Sequence, residues 1–479
     1  MSRIVGLIGR CRHTKIATRG LAGLSLAVGL VGPLGIEVGA LRAEIVNVGY
    51  EGLELPPLSP DEQDRLDTLL AVQQPRILST LSPDGTTLVV EVSRRLYPDD
   101  RTIHFLDIRT GEMSESLALT TEIISPDLPL RWVDNNGVRF VQQDIYGPWE
   151  IVTFNRRTAI VSRTQIYPTE IESGEILGVA PNFSQLLVRV YGEDEDIIYV
   201  VSLPSLDRVE LARLPEGLEI QPPAWSDSGN QMVLVTSSIE ERRLYDRTPI
   251  SPSLGNPVIQ DALGRFSPEE NPFRQHNTVR VFDFSQPEPL QFELTAPASG
   301  GDSFAEASLS PDGHQILLKL YHSAQVEGRD NPTYLFPESA YYRLYDLGGT
   351  LLDTIEFEQL QGPMESQGRF LGPDRLLFWG IDGVDRHLYG YQPETRSLQP
   401  LPLPSGAVDA GSLVASGDGQ TLVYGFSSVT QPPELFSLQL NDSQPPQPLT
   451  QVNEAVAAAS RVRVDPVSFT TSQGERQGF

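Results

Sequence analysis

One repeated pattern constrains the fold of this chain more than any other feature: a tight turn followed by an apolar strand. The clearest copies are "LSPDGTTLVVEV" (81–92) and "LSPDGHQILLKL" (309–320). In such turns Pro fixes φ, the Asp side chain accepts backbone hydrogen bonds, and Gly takes the positive φ that follows. Weaker copies bring the number to seven, with the turn residues Asp84, Asp134, Asn182, Asp227, Asp312, Asp374 and Asp418.

A second turn follows each copy, after a short strand rich in aromatic and β-branched residues, as in "YRLYDLGGTLL". Each unit thus reads as four antiparallel strands, and most turn residues are 44 to 50 positions apart. Units of this kind are typical of β-propeller blades. We therefore predict an all-β fold, a seven-bladed β-propeller of four-stranded antiparallel blades. An eighth, degenerate blade between Asp227 and Asp312 is the alternative, and a pair of packed sheets is the structural rival.

The first residues have the pattern of an export signal. A basic segment, "MSRIVGLIGRCRHTKIATRG", precedes the apolar run "LAGLSLAVGLVGPLGI", and the small residues Ala40 and Ala43 follow. This order is typical of a secretory signal peptide and predicts a periplasmic or extracellular protein. An uncleaved membrane anchor is the alternative, although Gly and Pro make this run a poor spanning helix. After cleavage we expect no stable membrane span.

Composition excludes several classes of function. The net charge of −27 at pH 7 repels phosphate backbones, so we expect no nucleic-acid partner. The only cysteine is Cys11, inside the leader, so the exported part has no disulfide, cysteine nucleophile or thiolate metal site. The histidines show no metal-ligand spacing, and we expect no metal and no cofactor; they are His13, His104, His276, His314, His322 and His387.

Other conspicuous residues have structural interpretations. The acidic run "YGEDEDI" (191–197) predicts a solvated hairpin, and "GIDGVDRH" (380–387) predicts a second hairpin. Ser59, Pro60 and Glu62 form the pattern of a capping box and predict a helix ahead of the first blade. Its apolar stripe requires a surface to lie on. Core packing is the expected role of the tryptophans, which are Trp132, Trp149, Trp225 and Trp379.

The C-terminal part of the chain resembles the end of the propeller in the prolyl oligopeptidase (S9) family of serine peptidases, closest to its acylaminoacyl-peptidase and dipeptidyl-peptidase-like branch. The resemblance rests on "SSVTQPPELF", on "LTQVN" and on the final "VSFTTSQGERQGF". Gln473 departs from it, since the family usually has Asp there. The matching residues are Ser427, Ser428, Thr430, Pro433, Glu434, Leu435, Leu449, Thr450, Asn453, Phe469, Gly474 and Gly478. The SPDG turns also occur in TolB-type and WD40-like propellers, so they are weak evidence for the S9 family.

The resemblance implies a propeller that leads into an α/β-hydrolase domain. Such a domain needs a G-x-S-x-G elbow, and this sequence has none. The nearest string is "GDSFA" (301–305), ahead of a blade strand. We therefore expect no catalytic residues in this chain. The expected organisation is 1–43 signal peptide, 44–75 N-terminal extension with a short helix, 76–460 propeller with an insertion at about 246–276, and 461–479 linker and start of a missing hydrolase domain.

Two functional hypotheses from different classes follow. The first is an exported, substrate-gating propeller portion of an S9-type peptidase, not catalytic by itself, for which a truncated or split gene product is one explanation. Its partners would be an α/β-hydrolase catalytic domain or a peptide substrate. The alternative is a stand-alone TolB- or WD40-like binding propeller of the periplasm. An enzyme with its site in the central channel is a third hypothesis, although no acid, base and nucleophile suggest it.

Overall fold

The fold was analysed on a computed structural model of the chain. It describes residues 58–478 with gaps at 95–96, 116–129, 144–148, 167–173, 194, 204, 216–217, 239–277, 296–301, 326–333, 363–365, 373–374, 383–384, 442–443, 461–466 and 472–473. The predicted signal peptide and the predicted insertion at 246–276 therefore lie outside the described residues.

Nearly all regular structure in the described residues is antiparallel sheet, and each sheet is built from consecutive strands. The first sheet contains β1 (Gln73–Ile77), β2 (Thr87–Arg94), β3 (Tyr97–Asp107) and β4 (Met113–Glu115). The second contains β5 (Arg131–Trp132), β6 (Gly137–Gln143), β7 (Trp149–Asn155) and β8 (Ile160–Ile166). The third contains β9 (Gly174–Val179), β10 (Gln185–Val190), β11 (Glu195–Ser202) and β12 (Arg208–Pro215).

The fourth and fifth sheets follow the same plan. The fourth contains β13 (Leu218–Ile220), β14 (Ala224–Trp225), β15 (Gln231–Ser238), β16 (Thr278–Asp283) and β17 (Leu290–Thr295), where β13 and β14 both pair with β15 as two pieces of one inner edge. The fifth contains β18 (Asp302–Leu309), β19 (Gln315–Gln325), β20 (Tyr334–Asp346) and β21 (Leu351–Ile355).

The remaining propeller strands form one larger sheet of eight strands. Its first half contains β22 (Gln367–Gly372), β23 (Arg375–Asp382), β24 (Asp385–Gln392) and β25 (Ser397–Pro400). Its second half contains β26 (Ala407–Ala415), β27 (Thr421–Ser427), β28 (Glu434–Gln439) and β29 (Gln447–Pro448). A final hairpin is formed by β30 (Val467–Thr471) and β31 (Gly474–Gly478).

The all-β propeller of four-stranded antiparallel blades is confirmed, but the predicted count of seven, or eight, separate blades is wrong. The structure has five separate blades, and the strands after Gln367 share one eight-stranded sheet. A single parallel pairing of Arg386 with Ala407 joins the two halves of that sheet. The Arg386 amide donates to the carbonyl of Gly406 (3.0 Å), whose φ of +153° brings the chain back beside β24.

The predicted turn chemistry is confirmed in atomic detail. The Gly residues of the four SPDG-type turns, Gly85, Gly229, Gly313 and Gly419, have φ between +65° and +77°. The turn acids cap these loops: Asp84 accepts from the Thr86 amide (3.1 Å). In the copy at 179–190, whose turn contains no Gly, Phe183 takes the positive φ, at +57°. Tight turns of this type set the length and register of the strand that follows.

Each second strand buries both of its faces. In β2, Leu88 and Val90 pack towards β27 and β28, whereas Val89 packs towards β6 and β7 with Phe140. Comparable clusters lie between each sheet and the next, and one lies between the two halves of the eight-stranded sheet. A strand that is apolar on both faces requires a neighbour on either side.

The first sheet meets the last strands without strand exchange. The Gln73 amide donates to Asn453 Oδ1 (2.7 Å), and Asn453 Nδ2 donates to the carbonyls of Gln73 (2.8 Å) and Pro433 (2.6 Å). Glu434 accepts from the Asn453 amide (2.7 Å) and from the hydroxyl of Thr450. We call these five residues the closure network, and Glu434, Thr450 and Asn453 among them are buried. All but Gln73 belong to the motif that suggested the family resemblance.

The predicted N-terminal helix is present as α1 (Pro60–Leu70), with a complete capping box between Ser59 and Glu62. The surface it requires is partly supplied by α2 (Glu454–Ala459), since Arg65 Nε donates to the Ala459 carbonyl (3.0 Å). A 3₁₀ turn, Glu358–Leu360, is the other helical element among the described residues. In the described part of the chain no helix has the length and apolarity needed to cross a membrane.

The closure network generates the first prediction. Asn453→Ala removes three part-buried hydrogen bonds and leaves backbone groups of Gln73 and Pro433 without these partners. We expect the free energy of unfolding to fall by about 2–4 kcal/mol, measured by urea denaturation. Asn230→Ala, at an exposed turn position, is the control and should change it by less than about 0.5 kcal/mol. Equal effects of the two substitutions would contradict a role in closure.

The turns generate the second prediction. A Cβ on Gly85 would meet no atom within 4 Å, so only its φ of +70° resists substitution. We expect Gly85→Ala to lower the free energy of unfolding by about 1–2 kcal/mol. Gly372, which also has open space but no left-handed φ, is the matched control. Gly372→Ala should leave stability unchanged or slightly raised, and a loss as large as that at Gly85 would show that φ is not the cause.

Candidate functional site

The inner strands of the propeller enclose a cavity of about 380 Å³. Its walls come from β1, β5, β22 and β26 and from the turns that follow β14 and β18. Residues distant in the sequence therefore face one space, as expected at the axis of a propeller. Three charged side chains line it, Arg131, Asp227 and Arg369, and the other lining residues are apolar, Gly, Ser or Thr.

Arg131 lies on the short strand β5, where Leu130 bridges to Ser79 of the first sheet. Its Nε atom is buried and has no hydrogen-bond partner among the residues that the structure describes. Burial lowers the pKa of the Arg131 guanidinium, and the negative charge of Asp227 acts in the opposite direction. A buried guanidinium with an unsatisfied donor is costly unless an anion or water reaches it.

Asp227 stands in the tight turn between β14 and β15, held by the bond from its own amide to the Pro311 carbonyl (3.1 Å). Asp227 is exposed to solvent, although the surrounding protein removes part of the hydration of its carboxyl. This loss of solvation raises the pKa of the Asp227 carboxyl, while the charge of Arg131 acts to lower it. Desolvation is the larger effect, so Arg131 compensates the carboxylate only in part.

Arg369 lies on β22 and is held in place by its surroundings. Its guanidinium lies over the indole of Trp379, 4.6 Å from the ring centroid, and its Nη1 donates to the Leu413 carbonyl (2.9 Å). Burial lowers the pKa of Arg369 to about 10, so the side chain remains protonated at neutral pH. The stacking and the hydrogen bond together fix the orientation of the guanidinium.

The cavity is thus locally cationic inside a strongly acidic protein. Two arginines and one aspartate line it, whereas the whole chain carries −27. Electrostatic interactions in such a space are screened less than at the surface. Chemically, the site can attract and orient an anion. It holds no pair of groups arranged as nucleophile and base.

The sequence predicted no catalytic, cofactor or metal residues, and the expected absences stay predictions. Within the described ranges, no group of three or more His, Cys, Asp and Glu residues could hold a metal. His104 bonds to Thr102 (2.8 Å) on β3, whereas His314 and His322 lie beside and on β19 of the fifth sheet and His387 lies on β24. The described histidines are His104, His314, His322 and His387, and His276 lies outside the described part.

Both predicted hairpins are present, but the acidic one is not wholly solvated. Asp196 is only 2% exposed and forms an ion pair with Arg189 across the β10–β11 ladder. The other hairpin joins β23 to β24 and places His387 opposite Gly380. Trp379 is buried beneath Arg369, which confirms a packing role with an added cation–π contact.

Sequence reasoning missed the two arginines of the cavity, although a signal existed. When the repeats are aligned on the backbone bond that closes each turn, Arg131 stands in a column of uncharged residues, which are Thr80, Gly178, Ala224, Ser308 and Val414. Arg369 stands three positions before Gly372, which pairs with Arg375 across its turn. The residues at the matching position of two other repeats are Ser79 and Leu413. A charged residue at an otherwise apolar or small position of a repeat marks a local function.

Comparison with known proteins identifies the fold. No family model matches the sequence, and no curated protein matches it. Among solved structures, a puromycin hydrolase mutant in complex with PGG superposes with a TM-score of 0.55 and 13% identity, over 88% of this chain and 60% of that one. A prolyl endopeptidase studied for inter-domain dynamics superposes with a TM-score of 0.51 and 14% identity, over 86% of this chain and 53% of that one. An acylaminoacyl peptidase from Pyrococcus horikoshii superposes with a TM-score of 0.49 and 13% identity, over 84% of this chain and 57% of that one.

These similarities confirm the expected likeness to the propellers of prolyl-oligopeptidase-type enzymes, at the level of the fold. This chain spans little more than half the length of the solved chains that it matches. The remainder of those chains has no counterpart among the aligned residues.

The cavity generates a prediction about pH. Because the pKa of Asp227 is raised in the folded state, its ionisation above the ordinary value of 3.8 disfavours folding. Asp227→Asn should therefore gain stability relative to wild type as pH rises from about 4 to 7, measured by urea unfolding at each pH.

Asp346→Asn is the control with the opposite sign. The pKa of Asp346 is lowered, chiefly by the Thr350 amide that donates to it (2.8 Å). This carboxylate stabilises the fold above 3.8 and loses that effect as pH falls. Between about pH 4 and 7 the Asp346→Asn variant should therefore be less stable than wild type by a nearly constant amount, and this difference should shrink only as the pH falls below 3.8. Parallel curves for the two variants would refute the assignment for Asp227.

Proposed function

We propose that this chain is the exported propeller portion of a serine peptidase of the prolyl oligopeptidase (S9) family, and that it controls which peptides reach the active site. The fold likeness to a prolyl endopeptidase and a puromycin hydrolase supports the proposal, because it covers most of this chain and about half of each of theirs. Export rests on the sequence pattern of residues 1–43.

The observation that carries the proposal is the position of the family-like motif. Glu434, Thr450 and Asn453 match the family pattern, and in the structure they form the closure network. The chain then continues through α2 to the β30–β31 hairpin. A propeller whose closing residues lead directly to a linking hairpin is suited to carry or contact a neighbouring domain beside the junction of its first and last strands.

The proposed chemistry belongs to a hydrolase domain rather than to this propeller. A serine peptidase needs a nucleophile on a sharp elbow together with an acid and a base, and the sequence contains no G-x-S-x-G. In the proposal, the propeller supplies a covered space whose width limits the size of substrates. Its partners are an α/β-hydrolase catalytic domain and peptide substrates, with no nucleic acid and no stable membrane span after signal cleavage.

A serine-hydrolase probe tests the proposal. The chain is isolated under native conditions from cells that make it and is treated with a fluorophosphonate. We expect no label on residues 1–479, and label on an α/β-hydrolase segment that is joined to or bound to this propeller. The labelled assembly should cleave short peptides and spare folded proteins, because a propeller cover excludes large substrates.

The same experiment separates the alternatives. Covalent label mapped by mass spectrometry to a residue within 1–479 would contradict a non-catalytic propeller. A folded chain that binds no labelled hydrolase would contradict the peptidase assignment and support a stand-alone binding propeller. Heat-denatured protein, treated in parallel, controls for nonspecific labelling.

A further inference from the structure

The helices α1 and α2 are attached to opposite sides of the junction between the first sheet and the last strands. α1 ends at Leu70, and only two residues separate it from Gln73 at the start of β1. α2 begins directly after Asn453, whose side chain bonds to both the amide and the carbonyl of Gln73. Each helix is therefore a direct extension of one partner in the closure network.

The two helices also contact each other, at a second point outside the closure network. Arg65 Nε on α1 donates to the carbonyl of Ala459 at the end of α2 (3.0 Å). The last carbonyls of a helix have no partner inside the helix and carry partial negative charge, so a guanidinium there is favourable. The last turn of α2 has no basic residue of its own, and α1 supplies that charge.

The two contacts support each other because short connections link them. Once Gln73 and Asn453 are bonded, α1 and α2 are held close together, and the contact of Arg65 with Ala459 loses little further freedom when it forms. The same reasoning applies in reverse, since the paired helices keep Gln73 beside Asn453. Loss of either contact should therefore weaken the other.

The surroundings of α1 allow it to detach. None of its residues is fully buried, and its three leucines, Leu66, Leu69 and Leu70, are half-buried. Its 11 residues are fewer than the roughly 12–15 that an isolated helix needs in water. The helix therefore depends on its capping box and on its contact with α2.

The other end of β1 is held separately, next to the cavity. The Ile77 amide donates to Ser412 Oγ on β26 (3.4 Å), where β26 bulges between Asp409 and Leu413. Residues of both strands line the cavity. The junction thus has two attachments along β1, the closure network with the helices at Gln73 and the bond to Ser412 at Ile77.

We propose that α1 and α2 form a strap across this junction, and that the strap sets how often the junction opens. While the strap is in place, β1 and β26 stay together as walls of the cavity. When α1 detaches, the start of β1 separates first, because Ser412 still holds its other end. The inference rests on the fold alone and does not depend on the function proposed above.

Hydrogen exchange of backbone amides in the full chain tests the strap. Arg65→Gln removes the contact with Ala459, whereas Ser59→Ala leaves Arg65 in place and removes the cap of α1. Each variant should speed exchange at Gln73 and Asn453 at least about twofold. The change at Ile77 should be smaller, and Val188 on β10, in the third sheet, should not change.

Arg213→Gln is the matched control, since it removes the same charge from the exposed Arg213–Glu210 pair on β12. It should leave all these exchange rates unchanged. Rates at Gln73 and Asn453 that equal those of the control in both strap variants would refute the strap. Equal acceleration at Gln73 and Val188 would indicate a general loss of stability and would also overturn the proposal.

Discussion

Two-sided burial of the second strand in each sheet is the constraint on which the rest of this structure depends. Residues such as Leu88 and Val89 are fully buried although they point to opposite faces of β2. No single sheet can satisfy them, so each sheet is stable only between two others. The arrangement must therefore return on itself, and the first sheet must pack against the last strands.

The way the chain closes explains why a few polar residues near its C-terminal end are buried. Other propellers can close by mixing strands from both ends of the chain in one sheet, but here every described sheet is built from consecutive strands. Leu88 and Val90 pack against Val423 and Leu435, which buries apolar area but does not fix the relative position of the strands. The hydrogen bonds between Asn453 and Gln73 fix that position, because they hold the groups they join at a set distance and angle.

Local chemistry made much of the fold predictable. The SPDG turns, the capped helix at Pro60 and the final hairpin all depend on residues within a few positions of each other, and all three are present. The count of separate blades failed because it depends on a single pairing between Arg386 and Ala407. The spacing of the repeats does not indicate such a contact. Gly406, whose positive φ allows it, is one of 40 glycines in the sequence.

The site was less predictable than the fold for a geometric reason. Arg131, Asp227 and Arg369 are far apart in the sequence and meet only at the propeller axis. Arg131 was further hidden because its turn is one residue shorter than the SPDG turns: the bond that closes it joins Val133 to Gly137, against Ser82 to Thr87 in the first copy. Aligning on sequence letters shifts Arg131 out of its column, and only the backbone bonds restore it.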